Sequence, residues 1–212
     1  MRALRQVSMM GGSVGKRVVT RKLYRQIVIL FVLGSIVGLD CDQIHVQFAV
    51  LRYSNPEFLG QPWWVGPQYG LAAVIACIVA WVSIPATTAV RFGKQLLRFS
   101  LWFFGAYLAT GLLADRPELL AGLLFASWIC RMISLCRDWM VIVFSFALAI
   151  VGTLYEVLLT TGPKTFAYLG AQVLGVPIWL PGLYLHAGPF VVGLSGIFAI
   201  REMADDEPAG RS

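Results

Sequence analysis

Six long apolar runs, at about residues 24–44, 64–84, 98–114, 118–136, 139–161 and 179–200, constrain this chain more than any other feature. About 20 such residues are what a helix needs to cross hydrocarbon. Inside a bilayer only structures that satisfy every backbone group internally persist. The runs therefore predict an all-α polytopic membrane protein, a compact bundle of six transmembrane helices over residues 24–201. A mobile basic tail at 1–23 precedes it and a polar tail at 202–212 follows. With 58% hydrophobic and 13% charged residues among 212, against roughly a quarter charged in soluble domains, no separate soluble domain has room.

The first run is the least secure span. Only thirteen uncharged residues separate Ile27 from Leu39 inclusive, so it spans if Arg25 snorkels and Asp40 to Ile44 extend it. A re-entrant segment is the alternative. It does not read as a cleaved signal peptide, because the basic segment before it is long and no small-x-small site follows.

Charge placement sets the topology. With six spans, both tails, the 85–98 loop and the turn near 131–138 share one side and hold fourteen Lys and Arg, Arg131 and Arg137 among them. The other side has Arg52, Arg116 and Lys164. Positive residues mark the cytoplasmic side, so both termini are expected there, and the net charge of +6 reports orientation rather than nucleic-acid binding. The 45–63 and 162–178 loops are long enough to fold over the opposite surface, whereas the turns at 115–117 and near 137 make spans three to five consecutive hairpins. Neither half visibly repeats the other, which weighs against an inverted-repeat transporter.

Helices in lipid associate through small residues at close approach, with polar side chains between them. Such stripes are Trp64, Gln68 and Ala72 on the second span; Ser100, Tyr107 and Gly111 on the third; Ser145, Ala149, Gly152 and Glu156 on the fifth; and Gly182, His186, Pro189, Gly193 and Gly196 on the sixth. Tight packing with no ligand is the plainer reading of each stripe alone. Intramembrane ionisable groups call for a partner or a function. Asp40 and Asp42 are expected to reach headgroup water, while Glu156 and His186 lie deeper. Pro181 and Pro189 free backbone carbonyls in a way that suits a cavity wall.

Chemistry-bearing motifs are absent. Within the apolar runs there is no G-x-S-x-G, and the chain has no Walker or Rossmann glycine pattern and no H-E-x-x-H; the cysteines Cys41, Cys77, Cys130 and Cys136 contain no C-x-x-C pair. No enzyme activity, cofactor, metal or disulfide is expected. The residues point to binding inside the membrane rather than catalysis, at a cavity formed by Trp64, Gln68, Tyr107, Glu156 and His186, with Gln43 and Trp63 at its rim. The alternative is a small proton-coupled lipid or solute transporter using Glu156 and His186. A scaffold that binds other helices or copies of itself, a homo-oligomer, is a third reading.

Three patches carry a family resemblance: Leu39-Asp40-Cys41-Asp42-Gln43-Ile44; Pro62-Trp63-Trp64-Val65-Gly66-Pro67 followed by Gly70; and Trp179-Leu180-Pro181 followed by Gly188, Gly193, Gly196 and Arg201, with Phe166 and Tyr168 before it. In this order, over roughly residues 24–201, the chain resembles the insulin-induced gene (Insig) proteins. The resemblance implies a six-span lipid sensor with cytosolic tails. Family members reside in the endoplasmic reticulum, bind oxysterols and hold sterol-sensing-domain partners, namely the SREBP escort protein and HMG-CoA reductase. An Asp-Arg pair of the family is matched in reversed order by Arg137-Asp138. Thirteen Arg against four Lys suit a GC-rich bacterial genome. A bacterial cell membrane and a sterol or diacylglycerol-like ligand are then expected. Sterol-sensing-domain partners would follow only for a eukaryotic source.

Overall fold

The computed structural model describes residues 21–205; the expected tails lie largely outside the described residues. Seven helices and two short strands follow in the order α1 (Arg21–Gln47), β1 (Leu51–Tyr53), α2 (Val65–Ser83), α3 (Ala86–Gly93), α4 (Leu96–Leu112), α5 (Pro117–Arg131), α6 (Trp139–Thr161), β2 (Phe166–Tyr168) and α7 (Leu180–Asp205). A π turn at Met132–Cys136 extends α5. Five helices are long and apolar enough to cross a membrane, and α4 is a shorter apolar one. Pro117 opens α5 where its missing N–H costs nothing. Asp138 caps α6, accepting from the Met140 N–H at 3.1 Å.

The first run is one continuous 27-residue helix, the spanning reading and not its re-entrant alternative, because Asp40, Asp42 and His45 continue its last turns instead of ending it. Two other expectations change. The basic 85–98 loop contains α3, too short to register as an apolar run. Arg131, counted with the exposed turn charges, is 2% exposed, with its guanidinium 5.6 Å from the centre of the Trp102 ring.

The helices are arranged around α7, which packs against α2, α3, α4, α5 and α6, while α1 lies on α2 and α4. The short turns join α4, α5 and α6 as expected, yet these helices meet α7 more closely than they meet one another. Small residues of α7 permit this: a Cβ on Gly188 would collide with Ser145 of α6, and one on Gly196 with the Ala89 backbone of α3. On α2 the buried face is Val65, Gly66, Gly70, Val74, Cys77 and Ala80, not the predicted Trp64, Gln68 and Ala72 stripe. Gly66 and Gly70 win that face because they admit Leu39 and Phe31 of α1.

At the end of the bundle opposite the start of α1, the two long loops pair. Strands β1 and β2 are antiparallel, with Leu51 opposite Tyr168 and Tyr53 opposite Phe166. These four side chains point into the bundle, while Arg52 and Ala167 face outward.

The ribbon exposes a repeat that the sequence reading missed. Leu59-Gly60-Gln61-Pro62-Trp63-Trp64 before α2 matches Leu174-Gly175-Val176-Pro177-Ile178-Trp179 before α7. At the same offset Tyr53 matches Tyr168 and Tyr69 matches Tyr184. The units α1–β1–α2 and α6–β2–α7 are thus two copies of one helix–strand–helix motif. The Arg52–Ala167 pair also falls at that offset, so it marks the pseudo-two-fold axis of the ribbon. The repeat escaped notice because it joins the first two spans to the last two, skipping the middle, and runs in parallel rather than inverted.

Candidate functional site

Each repeat places a carboxyl group about one turn from the end of its first helix and surrounds it with tyrosines. Asp42 Oδ2 accepts from Tyr53 at 2.8 Å and from the Gln61 amide at 2.7 Å, and Oδ1 accepts from Tyr69 at 3.4 Å. Glu156 Oε1 accepts from Tyr184 at 2.8 Å and Oε2 from Tyr168 at 3.3 Å. In both, one tyrosine comes from the ribbon and one from the following helix. Asp42 therefore does not reach headgroup water as expected; it is 1% exposed, because Gly38 one turn earlier lets the Tyr69 ring lie against α1. Asp40 is exposed.

The ribbon tyrosines are outside the helices, and both phenols are pushed well above their usual range. For Tyr53 the cause is burial first and the Asp42 charge second. For Tyr168 it is burial and then Glu156. Both stay protonated donors, so the ribbon is fastened to α1 through one and to α6 through the other.

Between the two clusters sits Tyr107, buried on α4, its ring 5.3 Å from His45 and 5.1 Å from Phe103. His45 Nε2 lies 2.8 Å from Thr110 Oγ1, whose proton goes to the Tyr107 carbonyl.

His186 belongs elsewhere. Its Nε2 donates to the Leu124 carbonyl at 3.0 Å, with Ser127 Oγ at 3.3 Å, and Trp102 stacks on the ring at 6.3 Å. Its Nδ1 is buried with no hydrogen-bond partner among the described residues. Tyr184 turns toward α6 and His186 toward α4 and α5, so the Glu156–His186 relay required by the transporter reading is not assembled.

The remaining predicted residues scatter. The Gln43 amide donates to the Leu59 carbonyl at 3.1 Å, and Trp64 meets Tyr53 edge-on at 5.8 Å. Trp63 is 71% exposed. Gln68 is half-buried and makes no side-chain hydrogen bond among the described residues. Residues that sequence reasoning missed are His45, Tyr53, Gln61, Tyr69, Tyr168 and Tyr184; the constant offset of the tyrosine pairs was the signal that could have found four of them.

A groove of about 310 Å³ lies between α5, α6 and α7, lined by Phe125, Phe146, Ala149, Ile150, Thr153, Leu154, Pro181 and Leu185. Phe146, Ile150 and Leu154 are exposed, so its mouth faces the lipid side of the bundle. Thr153 Oγ1 is buried there with no partner among the described residues. Pro181 forms part of the wall, yet it sits in the first turn of α7, where its missing N–H frees no carbonyl; Pro189 is the proline inside that helix. None of the seven predicted site residues lines this groove, although Glu156 stands three residues beyond Thr153 on α6.

No family model matches the chain, and no curated protein does. Solved structures share its fold. A mycobacterial Insig homologue, MvINS from Mycobacterium vanbaalenii, is 24% identical with a TM-score of 0.71, covering 88% of this chain and 97% of that one. A cross-linked trimer of an MvINS cysteine variant gives 23% identity at the same TM-score and coverage.

Proposed function

We propose, from the premise that this membrane protein has the Insig fold, that it is a non-enzymatic lipid sensor holding one neutral lipid within the bilayer. The observation that carries this reading is the groove between α5, α6 and α7. Its wall is apolar apart from one threonine hydroxyl, the pattern of a site that orients a mostly hydrocarbon ligand through few polar contacts. At about 310 Å³ it is at the small end of ligand pockets, and it takes part of a sterol, oxysterol or diacylglycerol-like molecule while the rest stays in lipid. Thr153 would bond the ligand's hydroxyl or ester oxygen. Glu156, held by Tyr184, fixes α7 at the groove's ribbon end, and Tyr107 and His186 support the surrounding helices. Gln43, Trp63, Trp64 and Gln68, on α1, on α2 and just before it, lie outside this groove.

Both tails are cytoplasmic in this reading, by the charge asymmetry, and the ribbon faces the other side of a bacterial cell membrane. Self-association belongs to the proposal too, since the homologue forms a cross-linked trimer. The test is native mass spectrometry of protein purified in mild detergent, followed by extraction and identification of the retained lipid. One stoichiometric neutral lipid, lost in Ala149→Phe and weakened in Thr153→Val, is the expected result. A lipid retained equally by both variants, or none retained by the parent chain, would overturn it.

A further inference from the structure

The repeat produces two equivalent hairpin tips. In one, Phe58 and Gln61 exchange backbone hydrogen bonds, both at 2.9 Å, across Leu59 and Gly60; in the other, Val173 and Val176 do so at 3.1 and 2.9 Å across Leu174 and Gly175. All four central residues have positive φ: 50° and 86° in the first tip, 50° and 81° in the second. A two-residue turn of this kind is normally made by Asn-Gly or Gly-Gly, because a Cβ crowds the carbonyl in the left-handed region. Each tip instead places a leucine there, and each leucine is exposed, Leu59 at 63% and Leu174 at 69%. Phe58, Trp63 and Val173 beside them are exposed as well.

Folding gains nothing from either leucine, since neither is buried and both are strained. The same arrangement occurs twice, on opposite sides of the pseudo-two-fold axis at Arg52–Ala167. Each tip also comes six residues before a spanning helix, at Val65 and Leu180. That connection holds it at the level where the bundle's lipid-facing surface begins. Interfacial aromatic and apolar side chains are what anchor a chain at this depth.

We infer that the Leu59 and Leu174 tips are a matched pair of membrane anchors, inserted into the headgroup–acyl boundary of the leaflet at the ribbon end. They hold the ribbon flat over the bundle from both sides. The partner is the bilayer itself; Leu71 and Ile75 on α2, the helix that follows the Leu59 tip, are exposed apolar side chains as well.

Spin labels at Leu59→Cys and at Leu174→Cys, in the full chain with Cys41, Cys77, Cys130 and Cys136 replaced by serine or alanine, provide the test. The protein is placed in phosphatidylcholine–phosphatidylglycerol vesicles, and collision with oxygen is compared with collision with a water-soluble nickel chelate. Both labels should prefer oxygen several-fold, like a label at Ile150→Cys on the lipid side and unlike one at Arg52→Cys on the ribbon. Collision ratios matching Arg52→Cys would overturn the inference, and so would labels shielded from both reagents, which would show a second protein surface covering the tips. Should the cysteine-free chain not fold, Trp63 in the unmodified protein serves instead. Lipids brominated near the headgroup should quench more of the emission of the parent chain than of Trp63→Phe. Equal quenching of the two would overturn the inference.

Discussion

Tyr184 donates to Glu156 Oε1 at 2.8 Å from a ring that lies against Gly152, one turn earlier on α6. A Cβ on Gly152 would stand 2.5 Å from that ring. The clasp between α6 and α7 thus depends on an absent side chain as much as on a hydrogen bond. Gly38, Tyr69 and Asp42 form the same triplet between α1 and α2. The duplicated motif explains why both carboxyl groups can be buried: each brings its own donors, from the strand and helix that follow it in sequence.

Gly152→Ala and Gly38→Ala should therefore both destabilise the protein, although alanine is the better helix former by about 1 kcal/mol. The added methyl displaces a half-buried tyrosine, and overpacking of this kind costs about 1–3 kcal/mol. Gly105→Ala is the control, because nothing lies within 4 Å of the Cβ it would gain. Thermal unfolding followed by circular dichroism in detergent should show lower midpoints for the first two and an equal or higher one for Gly105→Ala.

Tyr184→Phe removes one donor from Glu156 and leaves Tyr168 at 3.3 Å. An unsatisfied buried polar group costs about 1–3 kcal/mol. Glu156→Leu in the same chain removes the group left unpaired. The double variant should be less destabilised than the sum of the two single changes, a coupling that a double-mutant cycle of unfolding free energies would read directly. Strict additivity would mean the two side chains do not interact.

Asp138 ties two elements, α6 and α3, at the other end of the bundle. It caps α6, and its Oδ2 accepts from Thr88 at 2.9 Å and Arg91 at 2.8 Å, both on α3. Asp138→Ala should cost about 1 kcal/mol from the cap alone, plus the loss of Thr88's partner, while Arg91→Ala should cost less because that guanidinium is about half exposed. Proteolysis at the Lys94 bond should quicken in Asp138→Ala as α3 loosens, and an unchanged cleavage rate would count against this role.

The spans were legible because apolar length is a local property of sequence, and the boundaries of α6 coincide with the predicted run. The charge on Asp42 was misread for the opposite reason. Its environment is set by Tyr53, Gln61 and Tyr69, which lie 11, 19 and 27 residues away, and polarity at the end of an apolar run looks the same whether those donors reach it or water does. The groove was illegible in the same way: Thr153 and Pro181 were visible as residues, but their meeting depends on how α7 sits among its neighbours. The hub position of α7 left a trace, its glycines, which the stripe of Gly182, Gly193 and Gly196 registered without saying that five helices use it.

Tyr53 and Tyr168 give the protein a specific alkaline limit. Burial and the neighbouring carboxyl groups raise both phenols when folded, whereas an unfolded tyrosine ionises near its ordinary value of about 10. Below that pH both states hold the protons, and this contribution to stability is complete. Above it the unfolded chain loses protons that the folded one keeps, so stability falls by up to about 1.4 kcal/mol per pH unit for each phenol. Unfolding midpoints in detergent should be level between roughly pH 7 and 9 and drop beyond about 10. Tyr53→Phe with Tyr168→Phe should begin lower at neutral pH, having lost two hydrogen bonds, yet decline less steeply above pH 10. An alkaline slope as steep in the double variant as in the parent chain would show that the ribbon tyrosines do not set this limit.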